Sequence, residues 1–116
     1  MIKEDCLFCK IIQREIPGTI VYETNEVLAF KDVNPQAPVH VLFVPKSHLD
    51  GIHELSPSHA GLIDALFTAA NRVARNFKIY DSGYRLVVNC KKEGGQTVDH
   101  LHMHLLGGRR MTWPPG

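Results

Sequence analysis

Three histidines occupy every second position of the run HLHMHLL, residues 100–106. Strict alternation is typical of a β-strand, so we expect His100, His102 and His104 to share one face while the apolar residues between them face the core. At about 3.3 Å per residue, the outer two histidines stand about 13 Å apart, too far to bind one metal ion together. The spacing therefore predicts separate roles for the three imidazoles.

His102, in the middle of the row, is the candidate nucleophile. A neutral imidazole has a free lone pair near pH 7 because its reference pKa is about 6.5. Neighbours on both sides could hold one ring nitrogen while the other attacks an acyl or phosphoryl centre. A single histidine is more commonly a hydrogen-bonded structural residue. Three in register favour catalysis, and His40, in an apolar strand, is expected to support the row.

The loop Gly94-Gly95-Gln96-Thr97 leads directly into the histidine row. Two glycines permit positive φ and close backbone approach, and successive backbone N–H groups can hold a phosphate. A simple hairpin turn is the alternative use of such a pair. A phosphate held by this loop would lie against His102, with the Thr97 hydroxyl and the Asn89 amide as further donors.

The Cys6-x-x-Cys9 pair has the spacing of two zinc ligands. A four-coordinate site needs two more ligands, and His48 and His100 are the candidates. Two reduced thiols on a short helix remain the alternative. A thioredoxin-like redox role fits less well because no strand precedes the motif.

The sequence pattern predicts an α+β domain with a mainly antiparallel sheet, spanning residues 1–116. Asp5 is suited to cap a short helix over residues 5–13. Strands are predicted at 19–23, 27–33, 39–44 and 84–90, and the histidine row forms the fifth. A long helix begins at Ser56-Pro57. Its expected buried face consists of Ile63, Leu66, Phe67, Ala70, Val73, Ala74 and Phe77.

The composition excludes several classes of protein. With 13 basic and 12 acidic residues, the net charge of +1 provides no field for nucleic acid or an anionic membrane. No apolar stretch is long enough to span a bilayer. Three cysteines are too few for a secreted disulfide scaffold, so we expect a cytoplasmic protein, or also a nuclear one in a eukaryote.

Several segments together resemble the histidine triad family, and specifically its Hint branch. The triad itself is joined by segments 9–12, 15–17, 28–33, 35–40, 94–98 and the Trp-Pro-Pro-Gly tail at 113–116. The resemblance implies a five-stranded antiparallel sheet with one long and one short helix. It also implies a homodimer in which the two sheets join into one larger sheet.

The activity implied by the resemblance is that of a purine nucleoside phosphoramidase, acting also on adenylated acyl groups. The expected partner is a small purine nucleotide, and no metal takes part in the chemical step. His102 would form a nucleotidyl-histidine and release an amine, and water would then release the nucleoside monophosphate. His104 would contact the phosphate and assist the leaving group, while the His100 carbonyl would fix the His102 tautomer.

The resemblance also assigns the remaining site residues. Thr97 would act at the phosphate, and Asp32 would bind the ribose hydroxyls. The other expected nucleotide contacts are Asn89 and Gly95 at the phosphate, Leu7, Phe8, Ile11, Ile16, Phe30 and Val33 around the base, Gln96, and Trp113 from the partner subunit. Triad proteins with this cysteine pair bind structural zinc through positions matching Cys6, Cys9, His48 and His100.

Two positions depart from the branch, and two rival functions stay open. Thr97 stands where serine is usual, and Asp99 stands where an aromatic residue is common. A zinc hydrolase would use His100 and His102 as ligands and a metal-bound water as nucleophile. A nucleotide-binding scaffold dimer would bind the monophosphate without turnover.

Overall fold

The computed structural model describes residues 2–116 and has an α+β architecture. The helices are α1 (Leu7–Ile12) and α2 (Ala60–Asn76), with two short 3-10 helices at Ile52–Glu54 and Pro57–His59. The strands are β1 (Ile20–Glu23), β2 (Val27–Lys31), β3 (Val39–Pro45), β4 (Tyr84–Val87) and β5 (Met103–Gly107). Within the described residues, no helix combines the length and apolar character needed to cross a bilayer.

The five strands form one sheet in the order β1-β2-β3-β5-β4, and every neighbouring pair is antiparallel. The predicted antiparallel sheet is thus confirmed, and its first three strands form a meander. Helix α2 packs on one face, where Val73, Ala70 and Phe43 are buried in one cluster. Helix α1 packs on the other face, where Phe8 and Ile11 cover Leu28, Phe30 and Leu42.

The histidine row is only partly a strand, which corrects the sequence prediction. Strand β5 begins at Met103, so His100 and His102 precede it. The imidazole of His100 donates from Nε2 to the Pro45 carbonyl at 2.9 Å, so a side chain takes the carbonyl at the end of β3. The backbone N–H of Leu101 instead binds the Leu49 carbonyl at 2.7 Å. Leu101, Met103 and Leu105 do face the core, as predicted.

Strand β4 is also shorter than predicted, and for a related reason. It ends at Val87 rather than at residue 90, because its last paired residue faces His104 near the start of β5. Only Met103 of β5 lies beyond that pair, so the ladder between β4 and β5 stops there. The segment 88–90 therefore leaves the sheet and leads into the glycine loop.

Both helices differ from the prediction at particular residues. The cap of α1 is Cys6 rather than Asp5, since the Cys6 thiol accepts the Cys9 N–H at 3.4 Å. On α2, the predicted apolar face is buried at Leu66, Ala70, Val73 and Ala74. Ile63 and Phe67, by contrast, are 37% and 50% exposed, so this chain alone does not cover them.

Candidate active site

A cavity of about 360 Å³ lies between α1, the sheet and the end of the glycine loop. Ten of the residues predicted to act in catalysis or nucleotide binding line it, namely Leu7, Phe8, Ile11, Ile16, Phe30, Asp32, Val33, Thr97, His102 and His104. Pro17, Gly18, Lys31, Leu42 and Val98 complete the lining. Leu42 could have been found from the strand register, because it pairs with His104 across β3 and β5.

His102 presents a free ring nitrogen to this cavity. Its Nδ1 lies 2.7 Å from the carbonyl oxygen of His100, and a carbonyl only accepts, so Nδ1 carries the proton. The neutral ring then has its lone pair on Nε2, which has no hydrogen-bond partner among residues 2–116. No buried side-chain nitrogen or oxygen in the described chain lacks a partner, so Nε2 is open to the cavity. Phe8 supports the ring edge-on at a centroid distance of 5.0 Å.

His104 presents the opposite chemical group. The backbone N–H of Gln36 donates to His40 Nδ1 at 3.0 Å, so a neutral His40 carries its proton on Nε2. That Nε2 lies 2.9 Å from His104 Nδ1 and donates to it. The proton of His104 is therefore on Nε2, which has no partner among the described residues. One face of the cavity thus holds an acceptor nitrogen from His102 and a donor nitrogen from His104, with ring centroids 5.1 Å apart.

Burial keeps these imidazoles neutral. It lowers the pKa of His102, although the hydrogen bond to the His100 carbonyl and the charge of Asp32 oppose the shift. Burial, together with the nearby His102 and His40, lowers the pKa of His104 to about 4. Burial also lowers the pKa of His40 against the opposing charge of Asp32. A neutral His102 is the form that can act as a nucleophile.

Asp32 lines the cavity, and its carboxylate already accepts hydrogen bonds from part of the surrounding structure. Its Oδ1 accepts the Asn34 N–H at 2.8 Å, and its Oδ2 is 3.3 Å from His40 Nε2. A carboxylate has about four lone-pair directions, so further hydroxyl donors can still bind. This geometry suits the predicted contact with two vicinal hydroxyls.

The glycine loop is held close to the cavity by its backbone. A Cβ on Gly94 would lie 2.4 Å from the Cys90 carbonyl oxygen, and Gly95 has φ of +85°. Both uses of glycine that the sequence suggested therefore occur, one at each position. Thr97 lines the cavity, whereas Asn89 and Gly95 lie outside its lining.

Gln96 and Trp113 stand apart from the cavity. The Gln96 amide accepts from the Lys91 N–H at 2.8 Å and donates to the carbonyls of Asp50 and Val98 at 2.6 and 3.0 Å. Its side chain therefore braces the loop, and its contact with the nucleotide stays a prediction. Trp113 is 82% exposed on the tail, and its contact with a partner's site stays a prediction.

Cys6, Cys9, His48 and His100 converge on one point, and their ligand atoms all lie within 4.8 Å of one another. The measured separations are 3.3 Å from Cys6 Sγ to His100 Nδ1, 3.4 Å from Cys9 Sγ to His48 Nδ1 and 3.1 Å between the two Nδ1 atoms. A tetrahedral zinc ion spaces such ligand atoms about 3.3–3.8 Å apart. The spacing therefore fits a zinc ion closely.

The protons of the two histidines support the same conclusion. His100 Nε2 donates to the Pro45 carbonyl, and His48 Nε2 lies 2.7 Å from the Asp50 carboxylate. Both outer nitrogens carry protons, so the two inner Nδ1 atoms face each other with lone pairs. Such a set of donors suits a cation. Asp50, which sequence reasoning missed, could have been found from its position two residues after His48.

The neighbouring cluster of Asp32, His40 and His104 also brings three ligand atoms together. Here the proton on His40 Nε2 lies between the lone pair of His104 Nδ1 and the Asp32 carboxylate, so a hydrogen bond already occupies the centre of the cluster. This cluster needs no cation to hold its shape. The two histidine clusters thus differ in kind, and only the one with both cysteines has facing lone pairs.

The chain is similar in sequence and in structure to known proteins that carry a HIT domain. The family model for the HIT domain matches residues 13–111. The purine nucleoside phosphoramidase of Escherichia coli K12 is 44% identical, over 91% of this chain and 89% of its own length. A 14 kDa zinc-binding protein of Brassica juncea is 46% identical, over 97% of this chain and 100% of its own. The solved structure of a HIT family hydrolase from Clostridium thermocellum superposes with a TM-score of 0.93 at 52% identity, covering 95% of this chain and 96% of that one.

Proposed function

Because the chain belongs to the HIT domain family, we propose that it is a hydrolase that cleaves the phosphorus–nitrogen bond of purine nucleoside 5′-phosphoramidates through a nucleotidyl-histidine intermediate. The observation that carries this proposal is the pairing of His102 and His104 at one cavity. The first offers a lone pair and the second an N–H, each fixed by partners elsewhere in the fold. The similarity to the E. coli phosphoramidase supports the same reaction.

In the first step, Nε2 of His102 attacks the α-phosphorus, and the bond from phosphorus to the amine breaks as the new P–N bond forms. The Nε2–H of His104 donates a hydrogen bond to the phosphate or the departing nitrogen, which stabilises the developing charge. Water then attacks phosphorus and releases the nucleoside monophosphate, and the lone pair returns to His102. The departing nitrogen takes up a proton from solvent as its bond to phosphorus breaks, and the attacking water returns a proton to solvent in the second step, so each step balances.

The cavity lining accounts for the nucleoside. Leu7, Phe8, Ile11 and Phe30 form an apolar surface suited to the faces of a purine. Asp32 accepts hydrogen bonds from the ribose hydroxyls, and Thr97 donates to the phosphate. Adenylated acyl groups, which carry the same nucleoside half, are a second substrate class of this site.

Zinc is proposed as a structural ion bound by Cys6, Cys9, His48 and His100, as the name of the Brassica relative suggests for that protein. Burial raises the pKa of the Cys6 thiol, and the field of a bound cation is what makes such a ligand a thiolate. Four protein ligands leave no open position for a catalytic water. This argues against the zinc hydrolase in which His102 is a ligand, because His102 Nδ1 instead donates to a carbonyl.

A homodimer is proposed from the uncovered surface of α2 and the edge strand β4. Ile63, Phe67 and Asn71 recur at four-residue spacing, so they lie on one stripe of the helix. Asn71 accepts a hydrogen bond from the Tyr84 hydroxyl of β4, so this stripe faces the free sheet edge. A second copy would cover both apolar side chains and extend the sheet through β4.

The deciding experiment is mass spectrometry of enzyme quenched during turnover of an adenosine phosphoramidate. We expect an adenylate adduct on the peptide that carries His102, and its loss in His102→Ala together with a fall in rate of at least about 10³-fold. His53→Ala, which changes an exposed histidine outside the cavity, is the control. Full activity of His102→Ala would rule out the mechanism, and tight binding of the monophosphate without any turnover would favour the scaffold.

A further inference from the structure

The segment that follows β5 is fastened to the loop in front of β3. Arg109 Nε donates to the Gln36 carbonyl oxygen at 3.0 Å. Gly108 allows this approach, since its φ is +87° and a Cβ there would lie 2.9 Å from the Cβ of Pro38. The tail and the loop over residues 34–38 therefore meet in direct contact.

Gln36 is the same residue that fixes the proton on His40. Its N–H donates to His40 Nδ1, and His40 Nε2–H donates in turn to His104 Nδ1. One side of Gln36 thus faces the imidazole pair, and the other side is held by Arg109. A continuous row of hydrogen bonds runs from the tail to the donor nitrogen of the cavity.

The loop has few other means of holding Gln36 in place. Pro35 and Pro38 have no N–H, so the loop offers few backbone donors of its own. The Gln36 side chain donates to the Asn34 carbonyl at 3.1 Å, and Asn34 N–H binds Asp32. These contacts fix the loop on the side of Asp32, whereas Arg109 is the contact that fixes it on the side of the tail.

We propose that Arg109 is a positioning residue for His104: by holding the Gln36 carbonyl, it keeps the Gln36 N–H aimed at His40 Nδ1 and so keeps the His104 proton on Nε2. Arg109 itself does not line the cavity. The inference rests on the proposed function, because it matters for catalysis only if the His104 N–H acts on the reacting phosphate.

The chain offers two matched controls. Arg110 is the next residue, is also exposed and carries the same charge, but its side chain makes no hydrogen bond within residues 2–116. Arg85 Nη2 donates to the Thr112 carbonyl at 2.9 Å, so it anchors the tail further along and away from Gln36. Arg110→Gln controls for the loss of one charge, and Arg85→Gln controls for a looser tail.

The test combines steady-state kinetics on an adenosine phosphoramidate with ¹⁵N NMR of the histidine rings. For Arg109→Gln we expect kcat to fall about 3- to 10-fold, the range that one net hydrogen bond supplies, while KM changes less than about twofold. The His40 and His104 ring signals should move from a single tautomer towards an exchange average. Arg109→Lys, which retains a cation near the same carbonyl, should recover part of kcat.

The outcomes separate this inference from the proposed function. Absence of turnover by the wild-type enzyme would contradict the function itself. A wild-type enzyme that turns over while Arg109→Gln matches Arg110→Gln in kcat and in ring signals would overturn the role of Arg109. Equal changes in Arg85→Gln and Arg109→Gln would also overturn it, since the cause would be general loosening of the tail. A His104 proton found on Nδ1 in the wild type would overturn it whether or not any variant folds.

Discussion

At the scale of single residues, neighbouring histidines of one short motif differ because of the atoms that hold their rings. His102 donates to a carbonyl two residues away, whereas His104 accepts from a histidine 64 positions away in the chain. The His100 ring faces the two cysteines, with its Nδ1 3.3 Å from Cys6 Sγ and 3.5 Å from Cys9 Sγ. In His102 the corresponding Nδ1 is instead the proton donor. The hydrogen-bond partner of each ring decides which nitrogen carries the proton, and the other nitrogen then determines what the ring can do chemically.

The depressed pKa of the partly buried His104 predicts a specific loss of stability in acid. Its folded-state pKa of about 4 lies below the unfolded value of about 6.5, so the unfolded chain binds protons first as the pH falls. The contribution to stability is complete above pH 6.5 and declines between about pH 6.5 and 4. We therefore expect the unfolding free energy of His104→Gln to fall less steeply over this window than that of the wild type.

Denaturant unfolding at a series of pH values measures this difference. His53→Gln, at an exposed position outside the cavity, is the control and should follow the wild-type slope. Because the comparison is between variants, acid release of a bound metal affects all of them alike. Parallel curves for wild type and His104→Gln would contradict a depressed pKa at this residue.

At the scale of structural elements, the glycine loop depends on backbone packing that a methyl group would disturb. A Cβ on Gly94 would meet the carbonyl oxygen and the nitrogen of Cys90 at 2.4 and 2.8 Å, and neither backbone atom can move alone. We expect Gly94→Ala to lower kcat/KM about tenfold or more by displacing the loop that leads into Thr97. Steady-state kinetics measure this effect.

Gly61→Ala is the matched control for that substitution. No atom lies within 4 Å of a Cβ built on Gly61, which is in the first turn of α2. Alanine there should leave kcat/KM unchanged and raise stability by up to about 1 kcal/mol. Equal kinetic effects at both glycines would show that the loop tolerates the methyl group.

The cysteine–histidine cluster connects elements that are far apart in sequence. It joins the start of α1 to the loop after β3, which carries His48, and to the segment before β5, which carries His100. Removing zinc by chelation, or replacing Cys9 by serine, should lower the thermal midpoint by about 10 °C or more, since a tightly bound ligand stabilises only the folded state.

Cys90→Ser is the control for this measurement, because Cys90 lies outside the cluster. Its midpoint in the zinc-loaded form should match that of the wild type, and it should respond equally to the chelator. A protein purified at a metal content near zero, with a midpoint indifferent to added zinc, would contradict a structural zinc ion.

At the scale of the whole molecule, the exposed stripe on α2 predicts the oligomeric state. Phe67 is half exposed on the stripe that faces the free edge of β4, and burying the exposed half of its side chain contributes about 0.7–1.5 kcal/mol at each copy. We expect the wild type to sediment at twice the mass of one chain and Phe67→Glu to shift towards the monomer. Thr68→Glu, at the next and also exposed position, should leave the dimer intact. A monomeric wild type would contradict the prediction.

Much of this protein could be predicted from the amino-acid sequence. Period-two and helical spacing identified the antiparallel sheet and the long helix, because they report which side chains face a core. Residue type and the middle position in the row marked His102 as the candidate nucleophile, and the resemblance of whole segments indicated the family. The ligand types and spacing of Cys6 and Cys9 also predicted a metal site, since thiolates at that separation can bind one ion.

Only the tertiary structure decided where the strands end and which ring nitrogen carries each proton. Strand length depends on the partner strand. The ladder between β3 and β5 ends at the pair Phe43 and Met103, and the next carbonyl at the end of β3, that of Pro45, accepts from the His100 side chain instead of from a backbone N–H. Two of the tautomers depend on single partners brought from distant positions, namely His40 for His104 and Pro45 for His100. Exposure of Phe67 depends likewise on which surfaces the fold leaves uncovered. Such contacts join residues far apart in the chain, and local periodicity carries no information about them.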